Sequence, residues 1–342
     1  MDIQLSAQQQ AVVDCNEPRI VVKACPGSGK TFSVAACMAR LLRENNLSRH
    51  QGIAAISFTN TACDVIKKEL KETFGYPNVS YPSFIGTIDS FINTYIFLPY
   101  AHLVMGCDCR PEIVGTEFNK WFDYDPTQTR YIRGKHGEKI ITSRDANYYF
   151  DLISFGLNDQ LLRLAPYHAY HFGKADWENP NKKDGSPKKI ISELKEMKWK
   201  HFNAGKVNQA DAIYFTFRIL DKYPSIAQNI VRRFPILIID EAQDTTELQM
   251  AIIDKLSQCG AESIMLIGDP DQAIFEWNTA NPHLFMEKYN NPNWHSLDLS
   301  ENRRSSEKIC QLANHFSGNT MISIANDKDC AENPCLKGHL ST

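Results

Sequence analysis

Apolar runs and amphipathic segments alternate along the chain up to Phe91. The runs Arg19–Ala24 and Gly52–Phe58 are continuous and rich in β-branched or small residues, which predicts two buried strands. The segments Thr31–Arg43 and Thr61–Phe74 place their apolar residues on one stripe at helical spacing. Strands that alternate with helices predict a parallel sheet with right-handed crossovers, so this region is expected to have an α/β fold.

The pattern changes after Phe91 and returns near residue 208. Residues 92–207 are aromatic, polar and rich in turn residues, and they include a predicted hairpin over Arg130–Ile141 and a long helix over Lys188–His201. After residue 208 the α/β pattern resumes. The later predicted helices and strands are Asp211–Leu220, Phe234–Ile239, Leu248–Leu256, Ser263–Ile267 and Ser296–Leu299. We therefore predict one α/β domain interrupted by a long insertion.

Composition narrows the class of protein. The 342 residues are 43% hydrophobic and 23% charged, with a formal net charge of −3, which is typical of a globular protein. No window approaches the ~18 apolar residues of a membrane span, and the N-terminus resembles no export signal, so a cytoplasmic protein is expected. A net charge near zero gives no overall indication of nucleic-acid binding, which depends on local basic patches.

The ten cysteines are scattered and form no C-x-x-C pair, which favours reduced thiols. Cys107 and Cys109, together with Cys330 and Cys335, have the number of sulfurs that a zinc site needs. Their flanking residues show no zinc-knuckle pattern. We therefore expect no metal site at these cysteines.

A glycine-rich turn lies between the first predicted strand and the first predicted helix. This is the context of a P-loop, in which backbone N–H groups and the helix N-terminus surround a phosphate chain. Lys30 would neutralise the β and γ phosphates, and the Thr31 hydroxyl would bind Mg²⁺. The motif has alanine in place of its usual first glycine. Its residues are Ala24, Cys25, Pro26, Gly27, Ser28, Gly29, Lys30 and Thr31.

A pair of acidic residues follows the apolar run that ends at Ile239. Asp240 leaves this run as a Mg²⁺-binding carboxylate would, and Glu241 beside it is placed to polarise a water molecule for attack on the γ phosphorus. Together with the P-loop, the pair predicts hydrolysis of ATP or GTP.

Asp240–Thr245 resembles the D-E-x-Q-D motif II of superfamily 1A helicases, the UvrD/Rep/PcrA family. Further motifs of this family match in chain order, over residues 5–306. They are the Q motif at Leu5–Gln9, motif Ia at Ala55–Ala62, motif Ib at Gly86–Phe91, motif III at Ile267–Trp277 and motif IV at Asn302–Ser306.

The resemblance implies a fold, a division into domains and a site. It implies a RecA-like ATP-binding domain 1A over residues 1–91 and 208–298, a mainly helical 1B-like insertion over 92–207, and an incomplete start of a second RecA-like domain, 2A, over 299–342. It also implies that Gln272 senses the γ phosphate and that Arg304 acts as an arginine finger. The expected ATP-binding and catalytic residues are Gln9, which would select adenine, and Ala24, Pro26, Gly27, Ser28, Gly29, Lys30, Thr31, Phe32, Asp240, Glu241, Gln243, Gln272 and Arg304.

The resemblance also implies a path for single-stranded DNA. Phe275 and Trp277 are expected to stack on unpaired bases, the alternative being that they pack in the core. Thr61, Asp89 and Asn278 depart from the family pattern, and the first two remove or oppose positive charge where phosphates should pass. The expected DNA-binding residues are Phe58, Thr59, Asn60, Thr87, Phe275 and Trp277.

The insertion contains a basic segment that could also contact DNA. Lysines outnumber acidic residues from Lys182 to Lys206, and Trp199 lies between Lys198 and Lys200. This pattern suits a track for DNA phosphates, the alternative being a solvated helix face. Asp211, at the return to the α/β pattern, resembles the acid that begins the family's helix before motif II.

Two functions follow as expectations. The first is a helicase or translocase that couples hydrolysis of ATP, with Mg²⁺, to 3′→5′ movement on single-stranded or tailed DNA. The second is a DNA-sensing ATPase that pairs with a nuclease partner, like compact UvrD-like members of antiphage systems such as the helicase-like component of Gabija. Motifs V and VI have no counterpart after Arg304, so we expect either a longer protein or a second lobe supplied by a partner.

Overall fold

The computed structural model describes most of the two parts predicted to form the α/β domain. The described residues are 4–44, 46–79, 81–114, 132–133, 139–141, 153–163, 195, 198–273, 281–317 and 320–324. The helices are α1 Ala7–Asp14, α2 Lys30–Glu44, α3 Asn60–Glu72, α4 Ile88–Ile92, α5 Leu98–Tyr100, α6 His102–Met105, α7 Gln209–Lys222, α8 Pro224–Arg233, α9 Glu247–Gln258, α10 Pro282–Tyr289 and α11 Glu307–Asn314. A π-helical turn, Asn93–Phe97, joins α4 to α5.

Six strands form one parallel sheet, as the alternating pattern predicts. Its order is β12-β1-β11-β10-β2-β3, and every neighbouring pair is parallel. Short strands form four two-stranded pairs. The strands are β1 Arg19–Ala24, β2 Ile53–Ser57, β3 Phe84–Thr87, β4 Glu112–Ile113, β5 Ile132–Arg133, β6 Lys139–Ile141, β7 Ile153–Phe155, β8 Leu161–Arg163, β9 Lys206–Val207, β10 Ile236–Ile239, β11 Ser263–Gly268, β12 His295–Leu299, β13 Glu301–Asn302 and β14 Ile322–Ser323.

The sheet is buried on both faces, which explains why its central strands read as continuous apolar runs. Alternate residues of each strand enter two different core clusters. On β1, Val21 packs with residues of α4, α7 and α9, whereas Ile20 and Val22 pack with residues of α1, α2 and α3. The parallel arrangement places the carboxyl ends of all six strands at one edge, where ligands bind in folds of this kind.

Most predicted elements are confirmed, with ends shifted by at most two residues. The predicted hairpin is confirmed by the antiparallel pairing of β5 with β6. Of the predicted long helix Lys188–His201, residues 195 and 198–201 are helical, and the helix continues to residue 203. Residues 188–194 and 196–197 lie outside the described ranges. Strand β3 and the helices α8, α10 and α11 are additional elements that the periodicity did not indicate.

The structure contradicts part of the predicted phosphate track. Lys198 is fully buried, and its Nζ lies 2.7 Å from Oδ2 of Asp211, which is also fully buried. The Trp199 ring packs edge-on against Phe202 and Phe215 in the core. Lys198 is therefore inside the fold and the partly buried Trp199 packs against the core, because the helix turns both towards α7. None of the described helices has the length and apolar character that crossing a membrane requires.

Candidate active site

The P-loop connects the end of β1 to the start of α2. Gly27 has φ +71° and Gly29 has φ +83°, a left-handed backbone that glycine adopts without strain. The Ser28 hydroxyl donates a hydrogen bond to the Cys25 carbonyl at 2.8 Å and closes the turn. Because α2 begins at Lys30, the positive end of a 15-residue helix faces the loop.

Gln9 and Phe32 flank the loop. The Gln9 side chain is buried and donates from Nε2 to the Ser28 carbonyl at 3.2 Å, and its Oε1 accepts a hydrogen bond from the backbone of Ser6. The Phe32 ring packs against Phe74 at a centroid distance of 5.6 Å. Gln9 therefore contacts the P-loop directly in the free protein, whereas Phe32 points towards α3.

The two acidic residues after β10 meet the P-loop. Oγ1 of Thr31 donates to Oδ2 of Asp240 at 3.3 Å, and Nζ of Lys30 lies 3.3 Å from Oε2 of Glu241. Asp240 and Lys30 are both more than nine-tenths buried. The structure thus brings these four residues, which the sequence assigns to one site, to within hydrogen-bond or ion-pair distance of one another in two pairs.

Glu241 has an uncommon backbone conformation, with φ +55°. A non-glycine residue in the left-handed region is strained, and such strain persists only where neighbouring contacts hold it. Here Gln243 donates from Nε2 to Oε2 of Glu241 at 3.0 Å and to Oδ2 of Asp244 at 3.2 Å. Oε1 of Gln243 accepts from the backbone N–H of Asp269 at 2.9 Å. Gln243 thus links the carboxyl ends of β10 and β11.

The site holds more negative than positive charge. Burial, and then the neighbouring charge of Glu241, raise the pKa of Asp240 to about 7, and the same causes raise the pKa of Asp244 to about 6. Burial also raises the pKa of Asp269 to about 6. Lys30 lowers all three pKa values but does not offset the burial.

Mg²⁺ fits this set of donors. The Asp240 carboxylate and the Thr31 hydroxyl are hard oxygen ligands of the kind that Mg²⁺ takes alongside substrate phosphates. Oδ1 of Asp244 and Oδ2 of Asp269 are buried and have no hydrogen-bond partner in the described part of the chain. A bound cation and its water ligands would therefore compensate charge and lone pairs that the side chains leave unbalanced.

The segment after β12 reaches back to the P-loop. The Arg303 N–H donates to the Gly27 carbonyl at 3.0 Å, and the Cys25 N–H donates to the Leu299 carbonyl at 2.8 Å. Arg304 is exposed and forms no ion pair within the described ranges, whereas the Arg303 guanidinium lies 3.5 Å from Glu301. Among the residues that the structure describes, Arg304 is therefore the one of the two neighbouring arginines whose side chain has no carboxylate partner.

The remaining predicted ATP-site residues lie at the same edge of the sheet. Ala24 is buried at the end of β1, and Pro26 lies within the loop. Gln272 ends a 3₁₀ turn that follows β11, and its N–H donates to the Asp269 carbonyl at 3.0 Å. Sequence reasoning gave no site role to Gln8, Asp269 and Asn302, although they lie within the Q motif, motif III and motif IV, because their contacts at the site are with residues distant in sequence.

Four predicted DNA-binding residues cluster at the ends of β2 and β3. Ser57, the last residue of β2, is in register with Thr87. Thr59 and Asn60 are exposed at the start of α3, Thr87 begins α4, and Phe58 is half-buried against the core. Phe275, Trp277 and Asn278 lie outside the described residues. Burial raises the pKa of Asp89, one of the residues that depart from the motif pattern.

The cysteines in the described ranges are free thiols. Cys107 is buried and Cys109 is exposed, and Cys330 and Cys335 lie outside the described residues. No cluster of three or more His, Cys, Asp or Glu side chains suited to a metal occurs within the part of the chain that the structure describes.

Replacing Asp240 by asparagine is expected to stabilise the free protein at pH 8. The pKa of Asp240 is about 7 in the fold against an ordinary value of 3.8, so the folded chain binds a proton more tightly. Stability from this group is therefore fully present below about pH 4 and is lost as the pH rises through 7. We expect Asp240→Asn to raise the free energy of unfolding by about 1–2 kcal/mol at pH 8.

Urea unfolding without ATP or Mg²⁺, at pH 8 and at pH 5, measures this effect. The gain should shrink at pH 5, where the wild-type carboxyl already carries its proton. A loss of stability of equal size at both pH values would mean that the Asp240 charge is not a cost to the free protein.

The chain matches a protein-family model and several known proteins. The model of the UvrD/REP helicase N-terminal domain matches residues 5–293. The ATP-dependent DNA helicase PcrA of Bacillus subtilis (strain 168) is 24% identical over 321 residues, which cover 92% of this chain and 39% of that protein. DNA helicase II of Escherichia coli (strain K12) is 26% identical over 314 residues, which cover 91% of this chain and 40% of that protein.

A shorter match is to the exonuclease/helicase protein RexA of Lactococcus lactis subsp. cremoris (strain MG1363). It is 31% identical over 118 residues, which cover 33% of this chain and 10% of that protein. The chain thus spans about two-fifths of the length of the PcrA and DNA helicase II relatives, and its match to RexA spans a tenth of that protein.

Proposed function

Because the chain belongs to the UvrD/REP helicase family, we propose that it forms the ATP-binding part of a DNA helicase that moves 3′→5′ along single-stranded DNA. The observation that carries this proposal is the convergence of Lys30, Thr31, Asp240 and Glu241 at the carboxyl edge of the sheet. These residues supply a phosphate-binding cation, two oxygen ligands and a general base at one edge of the sheet.

We assign the ATP phosphates to the loop from Cys25 to Lys30. Its backbone N–H groups and the α2 N-terminus bind the phosphate chain, and Lys30 bridges to the β and γ phosphates. In the free protein Lys30 is paired with Glu241. Transfer of Lys30 to the phosphates would therefore release the Glu241 carboxylate to accept a proton from the attacking water.

Mg²⁺, when bound by Thr31 and Asp240, would offset the charge of the β and γ phosphates. Gln243 donates a hydrogen bond to the Glu241 carboxylate and would hold it towards the attacking water. Arg304, whose backbone lies against the P-loop, would supply positive charge to the γ phosphate in the transition state. Gln272 follows β11 on the same edge and would sense the γ phosphate.

Hydrolysis would be coupled to DNA through strand β2. The Asp240 N–H donates to the Ile56 carbonyl at 2.8 Å, so the Mg²⁺ ligand is bonded to the strand that leads into Phe58, Thr59 and Asn60. A shift of Asp240 with the nucleotide state would therefore be transmitted to the segment proposed to contact DNA. Phe275 and Trp277 are proposed to stack on its bases.

A division of the chain into domains is part of this proposal. We assign residues 1–91 and 208–298 to a RecA-like domain 1A, residues 92–207 to an inserted 1B-like subdomain and residues 299–342 to the start of domain 2A. The segment from Leu299 to Arg304, which is bonded to the P-loop, would then be the point at which domain 2A meets the nucleotide.

ATP turnover and strand displacement test the proposal. We expect turnover to rise several-fold with single-stranded DNA, and a duplex with a 3′ tail to be unwound while 5′-tailed and blunt duplexes are not. Absence of ATP turnover with and without DNA contradicts the proposal. DNA-stimulated turnover without displacement supports the alternative of a DNA-sensing ATPase that acts with a nuclease partner.

A further inference from the structure

We propose that Asn302 is a positioning residue that fixes Arg304 against the P-loop. The inference rests on the proposed ATP hydrolysis, but the contact itself is a property of the free protein. Asn302 is 2% exposed, although both arginines that follow it are exposed. A buried polar side chain next to an exposed turn needs hydrogen-bond partners, and these partners define its role.

The Asn302 carboxamide oxygen accepts two backbone hydrogen bonds. The Arg304 N–H donates to Oδ1 at 2.8 Å, and the Ser305 N–H donates to the same atom at 2.7 Å. Both distances lie within the ordinary range of N–H···O hydrogen bonds. They fix the backbone of Arg304 and of the residue after it, so the starting point of the Arg304 side chain is set by Asn302.

The same oxygen lies against the glycine of the phosphate-binding loop. A Cβ on Gly27 would meet both Oδ1 of Asn302 and Cβ of Arg304 at 2.9 Å. Gly27 has φ +71°, so the close approach and the left-handed backbone require glycine at the same position. The Arg303 N–H adds a hydrogen bond to the Gly27 carbonyl. Asn302 and Arg304 thus lie against the loop, and the Arg303 hydrogen bond joins their segment to it.

Two further contacts fix Asn302 itself. Its carbonyl accepts from the Ile324 N–H at 2.8 Å, within the pairing of β13 with β14. Ser300 lies two residues before Asn302. Its N–H donates to the Gln8 side chain of α1 at 2.8 Å, and its hydroxyl accepts a hydrogen bond from the same side chain at 2.9 Å. The segment is therefore bonded on both sides of Asn302. An arginine that acts on a transferring phosphoryl group needs such a fixed backbone, because small misplacements reduce rates strongly.

Steady-state kinetics with Asn302→Ala, Arg304→Ala and the double variant test the inference. We expect Asn302→Ala to lower kcat for ATP by about 10- to 100-fold and to change KM little, because the P-loop and Lys30 remain. In the Arg304→Ala background, Asn302→Ala should have almost no further effect. Equal fold-losses in both backgrounds would show that Asn302 acts independently of Arg304 and would overturn the proposal.

Asn302→Asp separates positioning from packing. Aspartate keeps an oxygen acceptor for both N–H groups and adds a negative charge beside the phosphates. We expect kcat close to wild type with a raised KM for ATP. A kcat as low as that of Asn302→Ala would contradict the proposal that the side-chain oxygen at this position, by accepting the two N–H groups, maintains the rate.

Asn291→Ala is the matched control. The Asn291 Oδ1 accepts from the Asn293 N–H at 2.9 Å, which is the same kind of contact, two residues along the chain, that Asn302 makes with Arg304. Asn291, however, lies before β12, at the opposite edge of the sheet. This variant should leave kcat and KM unchanged.

Amide hydrogen exchange in the free protein tests the contact without reference to activity. The Arg304 and Ser305 amides should exchange faster in Asn302→Ala and at the wild-type rate in Asn302→Asp. Unchanged exchange in Asn302→Ala overturns the inference. If the wild-type protein has no ATP turnover, the proposed function fails, while the exchange rates still decide whether Asn302 holds this segment.

Discussion

Replacing Lys30 by alanine is expected to lower kcat/KM for ATP by at least about 100-fold, the usual cost of removing one charged group from a reacting phosphate or oxyanion. Lys30 is buried at the start of α2 and is the cation that lowers the pKa of Asp240, Asp244 and Asp269. Without it, the γ phosphate would enter a site of uncompensated carboxylates. Steady-state turnover at saturating Mg²⁺ measures the loss.

The substitution should leave the sheet intact, because Lys30 contributes one ion pair to a partly exposed partner and little to the core. Circular dichroism and the urea midpoint check this. The matched control is Lys23→Ala on β1, whose ammonium lies 3.9 Å from Asp298 and over the Tyr289 ring. Lys23→Ala should retain turnover within about twofold, as for a surface charge. Wild-type turnover in Lys30→Ala would show that the loop does not bind the phosphates.

The sequence was sufficient to predict the P-loop and the acidic pair because both signals are local. Each is a short pattern at the end of an apolar strand, and the parallel sheet brings the ends of β1 and β10 to one edge. Gln8 and Asn302 could not be predicted in the same way. Gln8 binds Ser300, 292 residues away. Although Gln8 lies in the Q motif and Asn302 in motif IV, the local pattern around each gives no sign of such long-range contacts.

Strand β3 and the basic insertion show two other limits of sequence patterns. Phe84–Thr87 is short, half-buried and contains glycine, so it lacks the apolar continuity by which β1 and β10 were predicted. Lysine and tryptophan between residues 198 and 200 resemble a nucleic-acid surface in composition. Only the three-dimensional packing shows that Lys198 faces Asp211, because a single lysine in a charged run gives no sign of burial.

Breaking the Lys198–Asp211 pair is expected to lower the free energy of unfolding more than any of the other substitutions described above. Both side chains have no solvent exposure, and Nζ and Oδ2 are 2.7 Å apart. Asp211 also accepts from the Ser154 hydroxyl and from the Asn208 N–H, each at 2.9 Å. Lys198→Ala leaves a buried carboxylate without its cation, so we expect a loss of about 3–5 kcal/mol in the free energy of unfolding. Urea unfolding at pH 7 measures it.

Lys255→Ala provides the matched control. Its Nζ is also 2.7 Å from a carboxylate, that of Asp221, but both side chains are exposed to solvent. An exposed pair contributes at most about 1 kcal/mol, so burial is the main difference between the two alanine variants. Equal costs for both would contradict the interpretation that burial makes the Lys198 pair important.

The double variant Lys198→Met/Asp211→Leu separates charge from packing. It removes both buried charges and keeps apolar volume, which often restores stability relative to a broken pair. Ser154 and Asn208 would each lose an acceptor, at about 1–3 kcal/mol for a buried group, so recovery should be partial. We therefore expect the double variant to be more stable than Lys198→Ala and less stable than wild type. A double variant less stable than Lys198→Ala would mean that the ion pair holds residues 198–203 on α7 chiefly through its hydrogen bonds.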